Sequence, residues 1–332
     1  MKKLRVAFVC NMRRKENEFE VEYDPPDTIE KVKRGIEYAG HEFLFIEADE
    51  KAYENLKRLR PDLVFNRAEG IRGESRESQI PAFLEMLGIP YVGSNVLTTA
   101  IGLDKAVTKM FLSFHGVNTP RFQTFEKEDE PLNLNLSFPI ILKPDREGSS
   151  MGIDADSVVH DEASLRRKLT KMLQTYNEPI LAEEFIEGRE FSAGILGNEN
   201  PRVLPILEID FSRFPKEVGT VYGQKAKTVF DSSANYVCPA HISEKERKKI
   251  EEVARKTFKV LGCRDFARID MRMNSSGELF VLEVNPLPGI DYNTERDELS
   301  FYPIMAKAAG MDFNEMIKQI LDAAIERYGL CK

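Results

Sequence analysis

Between Phe266 and Asn285, two runs of alternating apolar and polar residues flank Asn274-Ser275-Ser276-Gly277, a strong turn signal. The pattern predicts a β-hairpin. Pairing Met273 with Glu278 sets Asp270 against Val281 and Arg268 against Glu283. Directly opposed residues share a face, as do residues two apart on one strand. Arg268, Asp270, Glu283 and Asn285 then project from one face, and Ile269, Met271, Leu282 and Val284 from the other. Three hard oxygen donors beside a fixed guanidinium suit magnesium and phosphate. Pro286 biases Asn285 toward extended backbone. Taken alone, the hairpin reads equally well as a metal site or as a solvated amphipathic edge.

The chain of 332 residues is long enough for two or three domains with substantial cores. Its net charge of −8 supplies no bulk basic field for nucleic acid or an anionic membrane. The apolar run Val6–Cys10 follows Lys2 and Lys3 but is too short for a secretory signal, and it reads as a first buried strand. No stretch approaches the ~18–20 apolar residues that span a bilayer. Cys10, Cys238, Cys263 and Cys331 are scattered without metal or redox spacing, as are the four histidines. Reduced thiols and a cytoplasmic location are expected.

Strand and helix signals alternate over the first hundred residues. Strands are predicted at Leu4–Val9, Phe43–Ile46 and Leu63–Phe65. Helices are predicted from a cap at Asp27 to Gly40 and from Gln79 to Leu87. This is a βαβ pattern with a small parallel sheet. Further on, helices are expected over Leu103–His115, Glu162–Thr175, Ser243–Leu261 and Phe313–Arg327. Strands are expected over Phe138–Leu142, Ile180–Phe185, Phe191–Leu196 and Val203–Ile209. Ser243 and Glu246 form a capping box, with Gly262 as the stop. The expected division is 1–97, 98–186 and 187–332.

Two more segments carry chemistry. Lys143 ends a buried strand and leads into Pro144-Asp145-Arg146-Glu147-Gly148-Ser149-Ser150-Met151-Gly152. Gly148 and Gly152 allow unusual backbone angles, and such a loop can wrap N–H groups around phosphates. It is not a Walker loop. Downstream, Glu183-Glu184-Phe185-Ile186-Glu187-Gly188-Arg189-Glu190 is an acidic junction. Glu183, the Ile186 N–H and Glu190 can meet an adenine amino group, a ring nitrogen and a ribose. A surface turn and a charged hinge are the bland readings of these segments.

Together the segments resemble the D-alanine–D-alanine ligase family of the ATP-grasp superfamily. The resemblance rests on Gly88–Ser94, Leu103-Asp104-Lys105, Leu142–Gly152, Ala182–Phe191, Asn235–Ala240 and Gly262–Gly289, collinear over roughly residues 60–325. It implies an α/β and α+β chain: an ATP-grasp fold behind an N-terminal Rossmann-like domain. It implies an ADP-forming carboxylate–amine ligase that works through an acyl phosphate, with ATP as co-substrate and two Mg²⁺ ions, for which Mn²⁺ can substitute. Lys105, Lys143, Lys227 and Ser150 match phosphate contacts, and Glu183, Ile186 and Glu190 match adenosine contacts. Asp270, Glu283 and Asn285 match the metal ligands. Arg268 and the Gly289 N–H match the oxyanion stabilisers, and Ser149 the serine that positions the first substrate. Met151 is expected to exclude water. Small carboxylate and amine partners, amino acids among them, and a homodimer are implied.

The chain departs from the family on the substrate side. Cys10-Asn11-Met12-Arg13-Arg14-Lys15-Glu16 stands where the family has a Gly-Gly and Ser-x-Glu-x-x-Val-Ser pattern. Asn66-Arg67-Ala68-Glu69-Gly70 replaces a His-Gly segment, and Thr228 stands where a tyrosine is expected. The link Asp291–Leu299 is longer than usual before Ser300, which matches a serine contacting the second substrate's carboxylate. Glu69, Arg72 and Arg76 are candidates for new substrate contacts, with Glu20 or Glu22 replacing the missing glutamate. A ligase for a different carboxylate and amine, a non-catalytic nucleotide-binding module and a carboxyphosphate enzyme are the competing readings. No carboxyl-carrier segment supports the last.

Overall fold

A computed structural model describes residues 2–15, 20–293 and 298–330, without the side chains of Thr228 and Glu298. Glu16, Cys331 and part of the Asp291–Leu299 link therefore lie outside the described residues.

β1 (Arg5–Cys10), β2 (Glu42–Glu47), β3 (Leu63–Arg67) and β4 (Tyr91–Val92) form a parallel sheet in the order β2-β1-β3-β4. The apolar runs of β1 and β3 are buried on both faces, as a helix-covered parallel sheet requires. α1 (Pro26–Tyr38) begins with Pro26, where a missing N–H costs nothing, so Asp27 lies inside the first turn and does not cap it. α2 (Ala52–Leu59) and α3 (Gln79–Leu87) follow, and Gly88 closes α3 as expected. The helix expected from Leu103 to His115 is broken. α4 (Val96–Leu103) and α5 (Lys105–Phe114) abut at Asp104, whose backbone is extended and whose carboxylate accepts from the Val107 N–H at 2.8 Å.

β5 (Phe122–Phe125), β6 (Ile140–Pro144), β7 (Val158–Val159) and β8 (Ile180–Glu184) make an antiparallel sheet ordered β5-β8-β6-β7. α6 (Glu162–Thr175) covers one face through Leu165, Leu169 and Met172.

The third sheet runs β12-β11-β9-β13-β14, with β10 paired to β9. Its strands are β9 (Arg189–Leu196), β10 (Arg202–Val203), β11 (Leu207–Ile209), β12 (Tyr236–Val237), β13 (Phe266–Met273) and β14 (Leu279–Asn285). The single strand expected over Val203–Ile209 is split around Pro205, which has no N–H for a ladder. α7 (Gln224–Thr228) belongs to the loop before β12. α8 (Glu244–Leu261) has its capping box and its left-handed Gly262, and it buries Ile250, Ala254 and Phe258 against the sheet.

α9 (Phe301–Ala308) and α10 (Phe313–Tyr328) end the fold. α10 crosses α1 closely: a Cβ on Gly35 would stand 2.7 Å from the Ile317 Cβ. Ile317, Ile320 and Leu321 join Val6, Phe8, Phe65, Phe266 and Tyr302 in one apolar cluster, so the first and third sheets share a core. Among the described residues, no helix is long and apolar enough to cross a membrane.

Candidate active site

β13 and β14 pair one residue out from the expected register, with Met273 opposite Leu279. Carried along the hairpin, that slip would set Asp270 against Leu282 and send Glu283 to the other face. A bulge takes up the difference. Leu282 becomes an extra residue, Asp270 stands opposite Glu283, and Arg268 opposite Asn285. The shared face of Arg268, Asp270, Glu283 and Asn285 is as expected, but the pairs are not, because side-chain alternation alone contains no bulge.

All four side chains line one cavity of about 770 Å³. The Asp270 carboxylate accepts from Arg268 Nη2 at 2.8 Å, from Ser192 Oγ at 2.5 Å and from Asn285 Nδ2 at 3.0 Å. Burial and then the Glu283 charge push Asp270 above the usual carboxylate range, although Arg268 opposes them. Burial would raise Glu283 too, but Lys105, Arg268 and Lys143 outweigh it and hold Glu283 below that range. Among the described residues, no group of three or more His, Cys, Asp or Glu is disposed to hold a metal. Two carboxylates and an amide oxygen are nevertheless a fitting set for magnesium, which keeps waters and takes phosphate oxygens as its remaining ligands.

Lys105 and Lys143 enter the same cavity from α5 and β6. Lys105 Nζ donates to the Glu147 carbonyl at 2.6 Å and Lys143 Nζ to Glu183 Oε1 at 2.5 Å. Lys227, on α7, donates to Ser149 Oγ at 3.0 Å, and burial followed by the Arg268 charge lowers its pKa. Ser150 Oγ donates to the Tyr222 carbonyl at 3.0 Å, and the Gln224 N–H to the Ile153 carbonyl at 2.7 Å. The loop 146–153 is thus clipped to the segment carrying α7. Gly152 has the expected positive φ, but Gly148 does not; Ser149 and Ser150 take the left-handed backbone instead. A Cβ at Gly148 would sit 1.9 Å from Glu22 Oε1, so a larger residue there would move the Glu22 side chain. Met151 is buried and lines the cavity.

Glu183, Ile186 and Glu190 line the cavity at the junction of β8 and β9. Ile186 and Glu190 have a partner that the sequence reading passed over. Arg272, 3% exposed, donates to Glu190 Oε2 at 2.7 Å and to the Ile186 carbonyl at 2.9 Å, and it stacks over Phe185. The signal was present: Arg272 follows Arg268 and Asp270 at the two-residue spacing that defines their face. Lys109, Glu77, Tyr222 and Asp291 are further side chains at or beside the cavity that motif spacing did not single out.

The substrate candidates divide. Glu22, Glu69, Gly289 and Ser300 line the cavity. Arg72 does not: it is exposed and pairs with the equally exposed Glu50. Arg76 instead reaches Glu22 and Glu147, each at 3.2 Å. Glu20 accepts from the backbone N–H groups of Arg14 and Lys15. Burial, Glu22 and Glu77 drive Glu69 well above its ordinary pKa, and burial and Glu22 push Glu77 up to about 7. Ser300 Oγ donates to Asp291 Oδ2 at 3.3 Å, at the start of the long link. The side chain of Thr228 lies outside the described residues; Tyr222, on the same loop, faces the cavity.

Comparison with known proteins identifies relatives of this chain. Residues 111–322 match the model of the D-ala D-ala ligase C-terminus. A D-alanine–D-alanine ligase of Pelotomaculum thermopropionicum is 36% identical, over 83% of this chain and 84% of its own. An uncharacterized protein of Sinorhizobium fredii, y4sG, is 33% identical over 98% of both. The crystal structure of the Bacillus anthracis D-alanine–D-alanine ligase complexed with ATP superposes with a TM-score of 0.73 at 24% identity, covering 98% of this chain and 99% of that one. The fold is the ATP-grasp fold of ATP-dependent ligases. The chain belongs to the D-alanine–D-alanine ligase family.

Proposed function

We propose that this protein joins a carboxylate to an amine at the expense of ATP, releasing ADP and phosphate, with two amino acids of the D-alanine type as the first substrates to test. The observation that carries the reading is the single hairpin face of Arg268, Asp270, Glu283 and Asn285, set across one cavity from Lys105, Lys143 and Lys227. A pure nucleotide binder has no use for that guanidinium among metal-type oxygens.

In this reading Lys105, Lys143, Lys227 and Ser150 neutralise and hold the phosphates. Glu183, the Ile186 N–H and Glu190 receive the adenosine. Asp270, Glu283 and Asn285 would hold two Mg²⁺ ions, replaceable by Mn²⁺, which when bound would supply charge neutralisation for the phosphates. A substrate carboxylate attacks the γ-phosphorus, and ADP leaves. The free amine of the second substrate then attacks the acyl phosphate, and phosphate departs as the tetrahedral intermediate collapses. Arg268 and the Gly289 N–H stabilise its oxyanion. Ser149 positions the first substrate, and the clipped 146–153 loop with Met151 keeps water from the acyl phosphate.

Glu22 and Glu69, with Glu77 beside them, suit a substrate ammonium, and Ser300 suits the polar end of the second substrate. The proposed division is 1–97, 98–186 and 187–332, with the phosphate and adenosine contacts drawn from both of the last two parts. Free thiols at Cys10, Cys238 and Cys263 support a reducing, cytoplasmic setting. Family membership supports a homodimer, to be measured by sedimentation.

The test is an amino-acid panel with ATP and Mg²⁺. ADP and phosphate with a condensed product by mass spectrometry are expected. AMP and pyrophosphate would overturn the proposal. Turnover by another pair with none from D-alanine would overturn only the substrate assignment.

A further inference from the structure

Lys109 lies one helical turn beyond Lys105 on α5, and no sequence motif draws attention to it. It is 1% exposed and among the largest fully buried side chains of the protein. Its ε-ammonium forms an ion pair with Glu183 Oε2 at 2.7 Å and donates to the carbonyl of Leu282 at 2.9 Å. Both acceptors matter. The other Glu183 oxygen carries Lys143, so Lys109 fixes the carboxylate that aims a cavity lysine. Leu282 is the extra residue of the hairpin bulge, without which Asp270 and Glu283 would not face each other.

We infer that Lys109 is a positioning residue that locks the bulge of the metal-binding hairpin to the nucleotide end of the cavity, so that metal and nucleotide bind as one unit. It touches neither ligand. A buried ammonium has strong, directional bonds because water does not compete for them. A carbonyl at a bulge lacks part of its ladder bonding, and Lys109 supplies it. No other side chain links these two groups among the described residues. The inference rests on the proposed Mg-ATP site and deepens it.

The test is binding, which needs no turnover. Lys109→Met and Lys109→Gln are compared with the native chain by calorimetry, using the β,γ-methylene analogue of ATP with and without Mg²⁺. In the native chain Mg²⁺ is expected to strengthen analogue binding. Both variants should lose at least tenfold of affinity in Mg²⁺ and little without it, so the enhancement collapses, while the KM for the amine changes less than twofold. If Lys109→Met is insoluble, Lys109→Gln, which retains a donor, decides alone. An equal loss with and without Mg²⁺, or an intact enhancement, overturns the inference. A native chain that binds the analogue but turns over no substrate pair would refute the proposed reaction and leave this inference standing.

Discussion

Arg272 and Glu190 stand opposite each other on β13 and β9, and their side chains meet at 2.7 Å. The guanidinium lies over two rings, with its carbon 4.6 Å from the Phe185 ring centre and 5.4 Å from that of Phe211, and it also donates to the Thr220 carbonyl. One buried cation thus joins the β8–β9 junction to the loop that carries α7. Arg272→Ala leaves Glu190 unpaired and should cost about 3–5 kcal/mol of stability, as breaking a buried pair does. Urea denaturation checks this. The KM for ATP should rise at least tenfold with the amine KM nearly unchanged.

Arg268 separates positioning from chemistry. Arg268→Lys keeps the charge but loses the fork that spans Asp270. The kcat for ADP release should fall by about 10²–10³, the usual loss for one oxyanion donor, while the KM for ATP changes little. An unchanged kcat would remove Arg268 from the reaction.

Stability should depend on pH through Glu178. Burial and the nearby Glu147 raise its pKa from 4.5 to about 7. Below pH 4.5 both folded and unfolded chains hold the proton, and nothing is lost. Between pH 4.5 and 7 the unfolded chain gives it up first, so stability falls as pH rises, and above 7 the full penalty remains. Glu178→Gln removes this slope. The variant should gain about 1–2 kcal/mol relative to the native chain between pH 5 and pH 8, measured by chemical denaturation at each pH.

Gly35 tests the seam between the first sheet's helix and α10. Alanine improves the helix, but its Cβ meets Ile317 within a closely packed core. A net loss of about 1–2 kcal/mol is expected from overpacking offset by propensity, with ADP release per folded molecule intact.

The sequence made the chemistry of the site legible because chemistry is written in residue types. Arg268, Asp270, Glu283 and Asn285 could be put on one face by alternation alone. Their true pairing could not, since a bulge at Leu282 is a matter of sheet twist and of Lys109 holding a carbonyl from another element. Local helix signals placed α6 and α8 well, α8 through its capping box. They failed at Asp104, where an extended backbone between two helices looks like helix interior in composition. Arg72 and Arg76 carry the same charge on one loop, and only folding turns one toward Glu22 and the other toward solvent.

The crossing of α1 by α10 has a consequence for synthesis. Val6, Phe8 and Phe65 emerge early from a ribosome, yet they share their cluster with Ile317, Ile320 and Leu321 near the far end of the chain. One face of the first sheet waits for residues made some 250 to 315 positions later. The nascent protein must carry that apolar surface uncovered through most of translation, an interval in which a chaperone that binds exposed apolar segments would find it.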